Sequence, residues 1–419
     1  MVLAVVLAPL AAVLAMPAAQ AVDSLCLPSE STGCLAGTLR TESGVLDGVD
    51  IAVTGPGVEE VVTTNEAGQW NLSITEPGEY TLAVDEDSLP DDVAVSGEVK
   101  VQGQLGRTVA AVIGVRTGDY SAETSFGQYL AQSSANGLRL GLLLALASVG
   151  LSLIYGTTGL SNFAHAEQVT LGGILAYAFV NVVGLNLWLG GLIVVALCAF
   201  SGWLQDRIMW QPLRRRGLGL TQMMIVTIGL SLAMQYAFVY SVGARTVRVV
   251  RDNPEVTEIG PITLSNQSFI AMGIAVIVLA GVGFALLRTR IGRATRAVSD
   301  NPALAAASGI DVDRVIRLVW TVAAGLAGLS GVMYALVTNG IKWDSGMQIL
   351  LLLFAAVTLG GLGTAFGALV GSLIIGLVVE LAPVFKMPGD FKYATALLIL
   401  ILLLLVRPQG LLGRPERVG

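Results

Sequence analysis

The sequence predicts an all-α polytopic membrane protein of 8–9 transmembrane helices that carries an exported N-terminal β-sandwich domain. Three observations lead there. Only 13% of the 419 residues are charged, about half of the ~25% usual in a water-soluble domain, and the mean hydropathy is +0.74. Several apolar runs exceed the roughly 18 residues needed to cross a bilayer's hydrocarbon. The charge is also divided. Residues 22–135 hold 18 acidic and 4 basic side chains, a balance of −14, whereas residues 136–419 hold 12 and 20, a balance of +8. An acidic module built for water is followed by an apolar module with basic loops. The basic residues are spread over loops rather than gathered on one face, so no nucleic-acid partner is expected.

Residues 1–21, MVLAVVLAPLAAVLAMPAAQA, form a short apolar run that ends in the small-x-small triplet Ala19-Gln20-Ala21. That pattern reads as a cleaved signal peptide; a first transmembrane helix is the alternative, opposed by Pro9 and Pro17. Export would place Cys26 and Cys34 in an oxidising compartment, where a disulfide or two free thiols are the choices.

Residues 22–116 read as the extracytoplasmic sandwich. Short segments such as QWNLSI and GEYTLAV alternate with period two, which puts Trp70, Leu72 and Ile74 on one face and Tyr80, Leu82 and Val84 on another. NEAG and EPGE supply turns between them. Residues 117–137 are polar and read as a linker or an amphipathic lead-in to the membrane.

The remainder, residues 138–413, contains nine apolar runs, at about 138–155, 166–184, 187–205, 219–241, 268–287, 315–337, 347–361, 364–382 and 393–406. Arginine-rich loops follow the third and fifth runs, and RPQGLLGRPERVG follows the last. Short basic loops stay in the cytoplasm, so an exported N-terminus and a cytoplasmic C-terminus require an odd number of crossings. Nine satisfies this if the chain turns back at GGLGTAFG; eight stays open, because the run near His165 need only partly enter the bilayer. The 50 glycines are expected at close helix contacts, with GLAGLSG and GALVGSLIIG as packing faces.

The loop 288–316 carries SDNPALAAASGIDVDRV. Asp300 or Asn301 can cap a helix, Pro302 sits at its first turn, and Gly309 suits a left-handed end. A two-turn alanine-surfaced helix over 302–308 would project into the cytoplasm. Asp300, Pro302, Ala305, Ala306, Gly309 and Ile310 are the candidate coupling residues.

The stretch LSNFAHAEQVTLGG holds the only histidine of the chain, His165. Ionisable groups at membrane depth are costly unless paired, and so default to function. Asn162, His165, Glu167, Gln168 and Thr170, with Thr358, Gly360, Gly361 and Gly363 of the glycine-rich turn, are the candidate pathway and gate residues. The plainer reading is a helix start at the cytoplasmic interface, capped by Asn162 and favoured by Glu167 at its positive end. One His and one Glu are too few for a metal, and no hydrolytic triad is visible. No catalytic residue, metal or cofactor is expected.

Two resemblances sharpen this reading. GTLRTESGVLDGVDIAVTG followed by TTNEAGQWNLSITEPGEYTLAV resembles the carboxypeptidase-regulatory-like, transthyretin-like sandwich domains, which implies a scaffold or adhesion module. In the membrane part, LSLIYGTTGLSNFAHAEQVTLGGILAY, the loop GRATRAVSDNPALAAASGIDVDRV, FAAVTLGGLGTAFGALVGSLIIGLVVELAP and the closing RPQGLLG resemble, in order, the motifs of LivH/LivM-type branched-chain amino acid permeases of ATP-binding-cassette importers. Ala166 stands where that family has Gly, and Thr364 where it often has Ser. The resemblance implies translocation of branched-chain or related amino acids across a bacterial inner membrane. It implies as partners nucleotide-binding ATPase subunits, a second permease subunit and an extracytoplasmic substrate-binding protein. The chain has no G-x-x-x-x-G-K-[ST] loop, so ATP hydrolysis would fall to a separate subunit docked on helix 302–308. A urea or short-chain amide permease keeps the same motifs. A proton-coupled transporter using Glu167 and Glu380, or an anchor that displays the sandwich, are the rival classes.

Overall fold

The computed structural model describes residues 126–385 apart from 251–255, most of 31–117, Cys26, and scattered positions between 394 and 413. The signal assigned to residues 1–21 lies outside the described residues. The chain divides into two compact units, with Pro17–Glu123 in one and Thr124–Gly419 in the other.

The first unit is β-rich. Its strands are β1 (Gly33–Thr38), β2 (Asp50–Gly55), β3 (Val58–Thr63), β4 (Gln69–Ile74), β5 (Gly78–Val84), β6 (Val93–Val95), β7 (Val99–Gly103), β8 (Thr108–Ala110) and β9 (Val115–Thr117). They form a three-stranded sheet β4-β1-β8, a four-stranded sheet β3-β2-β5-β7 and the pair β6-β9. The period-two pattern decides the inner faces: Trp70, Leu72 and Ile74 from one sheet and Ile51, Val53, Tyr80 and Leu82 from the other are buried in a shared core. Tyr80 packs where Gly55 and Gly103 have no side chain, and its hydroxyl donates to the carbonyls of Glu76 (2.7 Å) and Pro56 (3.1 Å). Burial and the nearby Glu76 carboxylate raise its pKa. Cys26 and Cys34 are disulfide-bonded, with Cα atoms 6.0 Å apart.

The second unit is helical. Its elements are α1 (Phe126–Thr158), α2 (His165–Ala176), α3 (Leu187–Gln205), α4 (Gln211–Arg215), α5 (Leu220–Val242), the hairpin β10 (Val256–Ile259) and β11 (Ile262–Ser265), α6 (Asn266–Arg288), α7 (Arg290–Asp300), α8 (Pro302–Ala307), α9 (Val312–Val337), α10 (Ser345–Gly360) and α11 (Ala365–Leu381). π-Helical turns Tyr177–Val182 and Asp206–Trp210 extend α2 and α3.

The count of 8–9 spans is not reproduced. Among the described residues, six helices are long and apolar enough to cross a membrane: α1, the continuous Leu187–Arg215, α5, α6, α9 and Ala365–Phe385. The expected span at 166–184 is α2 plus a π-turn, and it starts with a row of polar side chains. The one at 347–361 is the 16-residue α10. Half of the last run, 393–406, lies outside the described residues. The expected linker 117–137 is already helical from Phe126. The reversal at GGLGTAFG is present, because α10 ends at Gly360 and α11 begins at Ala365.

Glycines set the helix spacing. A Cβ at Gly137 would lie 2.8 Å from the Cα of Leu377, and one at Gly141 2.9 Å from that of Leu373, which joins α1 to α11. On α9, Gly328 accepts the Cys198 side chain of α3, where a Cβ would come within 2.5 Å. Gly331 sits directly on the Val169 carbonyl of α2, and Gly172 of α2 on the Gly328 carbonyl. These are backbone-to-backbone contacts of the kind small residues permit in membranes. They make α9 the strut between α2 and α3.

Candidate functional site

Helix α2 begins deep in the bundle. After Gly159, which has φ +68°, residues 160–164 run back toward the middle of the unit. Nε2 of His165 lies 2.9 Å from the Ala147 carbonyl. Ala147 is near the centre of the apolar run 138–155, and at 1.5 Å rise per residue it lies about 16 Å before the end of α1. The start of α2 therefore packs against the middle of α1 rather than against its end. Asn162 does not cap α2: its Oδ1 accepts from the amide of Ala164 (3.1 Å), the residue that itself precedes the helix.

Every residue of α2 is buried, and its polar side chains each reach a different helix. His165 bonds α1. Glu167 Oε1 accepts from Ser231 Oγ (3.2 Å) and Gln235 Nε2 (2.8 Å) of α5. Gln168 Oε1 accepts from Ser201 Oγ (3.0 Å) of α3. Thr170 Oγ1 accepts from the Gly346 amide (2.7 Å) of α10. Four side chains within six residues thus tie four helices to one. In a medium without water such bonds act as interhelical glue. The clustering of polar residues follows from this: they form a hub. The hub is closed in this conformation, yet two of its atoms, Glu167 Oε2 and Gln168 Nε2, have no hydrogen-bond partner.

The glycine-rich turn forms a second locus. Gly361 and Gly363 have φ of +112° and +78°, which side chains rarely tolerate. Thr358 Oγ1 donates to the Phe354 carbonyl (2.6 Å) within α10. The closing motif of the chain returns here: the amides of Leu411 and Leu412 donate to the carbonyls of Leu359 (2.8 Å) and Gly360 (2.9 Å). Gly363 and Thr364 also line a cavity of about 710 Å³ with Tyr155, Arg296, Asp300 and Pro302. Gly363 of the candidate gate set and Asp300 and Pro302 of the candidate coupling set therefore line one cavity. The hub residues do not line this cavity.

Helix α8 is the expected knob, Pro302–Ala307, one residue shorter than 302–308. Asn301 rather than Asp300 caps it, its Oδ1 accepting from the Leu304 amide (3.0 Å), and Gly309 is left-handed at φ +87°. Ala305 is corrected as a surface residue: it is 3% exposed and packs into the core with Ile310, while Leu304 is 68% exposed.

From α8 the chain passes into α9, whose first turns are clamped by charges. Asp206, fully buried, pairs with Arg214 (2.8 Å) and Arg317 (3.4 Å); Asp313 pairs with Arg215 (2.9 Å). Trp210 and Trp320 stack beside them at 5.1 Å. Sequence reasoning missed this collar, and it missed Ser231 and Gln235. The signals existed: Asp206 interrupts an apolar helix, and Ser231 and Gln235 are four apart within an apolar run, hence on one helix face.

Residues 133–406 match the family model described as "Branched-chain amino acid transport system / permease component". The high-affinity branched-chain amino acid transport system permease protein LivH of Escherichia coli (strain K12) is 30% identical over 310 residues, covering 69% of this chain and 97% of the relative. BraD, the corresponding permease protein of Pseudomonas aeruginosa, is 30% identical over 305 residues, covering 68% and 96%. A probable LivH of Methanocaldococcus jannaschii is 28% identical over 284 residues, covering 65% and 89%. With its apolar helices and this match, the chain is a multi-pass, non-enzymatic transport subunit and belongs to the family of branched-chain amino acid permease components.

Proposed function

We propose that this chain is the membrane-spanning subunit of an ATP-driven importer for branched-chain amino acids, which an extracytoplasmic binding protein delivers. A separate ATPase supplies the force, and a second permease subunit completes the pathway. The β-rich unit lies outside the cell and the basic loops inside. The single observation that carries this reading is α8. It is a capped knob with Leu304 and Ala306 exposed, anchored from behind by Ala305 and Ile310, and continuous through the Asp206 collar with α9. A partner pressing on α8 would move α9, which contacts the hub helix α2 at Gly331 and Gly328. The hub acts as the gate, with Glu167 and Gln168 exchanging hydrogen-bond partners between states.

The test is assembly. Ala306→Glu and Leu304→Asp place charge on the exposed face without touching the core. Each should leave membrane insertion and thermal stability unchanged while copurification of the ATPase subunit falls at least about tenfold, as expected when a buried anchor of an interface is lost. Full copurification with both variants would put the docking surface elsewhere.

A further inference from the structure

The hub leaves a carboxylate half used. Glu167 is 0% exposed; its Oε1 accepts from Ser231 and Gln235, the Thr170 hydroxyl lies beside the carboxylate as a further donor, and Oε2 has no hydrogen-bond partner of its own. No ion pair reaches it among the described residues. A second orphan oxygen belongs to Asp344, at the N-terminus of α10: Oδ2 accepts from Gln348 Nε2 (3.0 Å) and Oδ1 is buried without a partner. The two acids flank one junction. Thr170, one helical turn after Glu167, accepts from the amide of Gly346, two residues after Asp344.

We propose that Glu167 and Asp344 bind the primary ammonium group of the transported amino acid. This rests on the amino acid reading above and adds the group by which the membrane subunit holds its cargo. Burying carboxylates without a counter-charge is costly, and the helix N-termini of α2 and α10 offset only part of that cost. An ammonium carries the missing charge and three donors, and each of the two acids keeps one carboxylate oxygen without a hydrogen-bond partner. A metal ion fits poorly. It wants about six oxygen ligands, whereas the Ser231 hydroxyl and the Gln235 amide already direct protons at the carboxylate. Urea or a neutral amide would leave the charge uncompensated. Helix α5 is the element that must yield. Its described hydrogen bonds to the α2 segment are those of Ser231 and Gln235 with Glu167, and that of Thr227 Oγ1 with the Phe163 amide (3.2 Å). An ammonium arriving at the carboxylate competes with the Gln235 donor and weakens one of these three attachments of α5.

Binding of radiolabelled L-leucine to the purified complex of this chain with its partner permease and ATPase subunits, in the absence of binding protein, tests the assignment. In the wild type, isoamylamine and leucinamide should displace the label, while isocaproate, which keeps the carboxylate and lacks the ammonium, should not. Glu167→Gln should weaken leucine binding by about tenfold or more, the loss of a charge-assisted contact, and Asp344→Asn should weaken it less. Exchanging sodium for choline should change nothing. Competition by isocaproate as strong as by the amine, wild-type affinity in Glu167→Gln, or a requirement for sodium would each overturn the proposal. If Glu167→Gln does not fold, the wild-type competition series still decides. Amine-selective binding without any ATP-driven uptake would support the ammonium site and count against the importer reading alone.

Discussion

Gly331→Val abolishes the folded protein. A Cβ at position 331 of α9 overlaps the Val169 carbonyl of α2, and the next neighbours, the Val169 carbonyl carbon at 2.8 Å and the Gly173 amide at 3.1 Å, are also backbone. No flexible side chain can give way, so α2 and α9 must separate. Overpacking usually costs about 1–3 kcal/mol, and a clash with rigid backbone on both sides falls at or beyond the top of that range. The separation also strains the hub, because Gln168 and Thr170 flank the carbonyl that is struck. Monodisperse protein on size-exclusion chromatography should disappear, or its Tm should fall by well over the shift seen with ordinary core variants. Gly273→Ala on α6 is the control. Its Cβ meets nothing within 4 Å, so the variant should be neutral or more stable by up to about 1 kcal/mol.

Asp206→Ala is expected to be nearly as damaging. The carboxylate is 0% exposed and answers Arg214 and Arg317, whose side chains are only 16% and 22% exposed. Removing it leaves Arg214 with a 3.8 Å contact to Asp313 and Arg317 with the Gln211 amide oxygen, beside the Trp210–Trp320 stack. Breaking one partner of a buried ion pair costs about 3–5 kcal/mol. Thermal unfolding in detergent should show a large drop in Tm, and adding Arg317→Met should recover part of it by removing one stranded charge. Such recovery is the coupling that a double-mutant cycle measures. A loss in Asp206→Ala that Arg317→Met deepens would mean that the two side chains act independently.

The contrast between these two sites shows what could be read in advance. Helix ends and strand faces were legible because they depend on neighbours in sequence: the alternation of β4 and β5, the Asn301 cap, the left-handed Gly309 and the reversal after Gly360 all follow from local residue types. GLAGLSG and GALVGSLIIG were recognisable as packing faces for the same reason. Depth was not legible. Hydropathy marks where an apolar run begins, and cannot tell that residues 160–164 carry the start of α2 back to the level of Ala147. The partners of the hub are equally remote, since Glu167 meets Ser231 and Gln235 64 and 68 residues later. The inward turn of Ala305 needed the position of the core beneath α8. The collar needed α9 to lie beside Asp206, an arrangement that Gly202 makes possible by letting Trp320 approach. The polar composition of LSNFAHAEQVTLGG thus announced a special place, and only the packing said which helices it joins.

The central claim is that ATP, acting through α8 and α9, drives amino acid movement past the hub. Leucine uptake by proteoliposomes containing this chain with its partner permease, ATPase and binding protein tests it most directly. Uptake should require ATP inside the vesicles for an outward-facing binding-protein site, stop when ATP is omitted, and persist when a protonophore collapses the proton gradient. Uptake that continues without ATP and is abolished by the protonophore would contradict the account and make Glu167 a proton carrier instead.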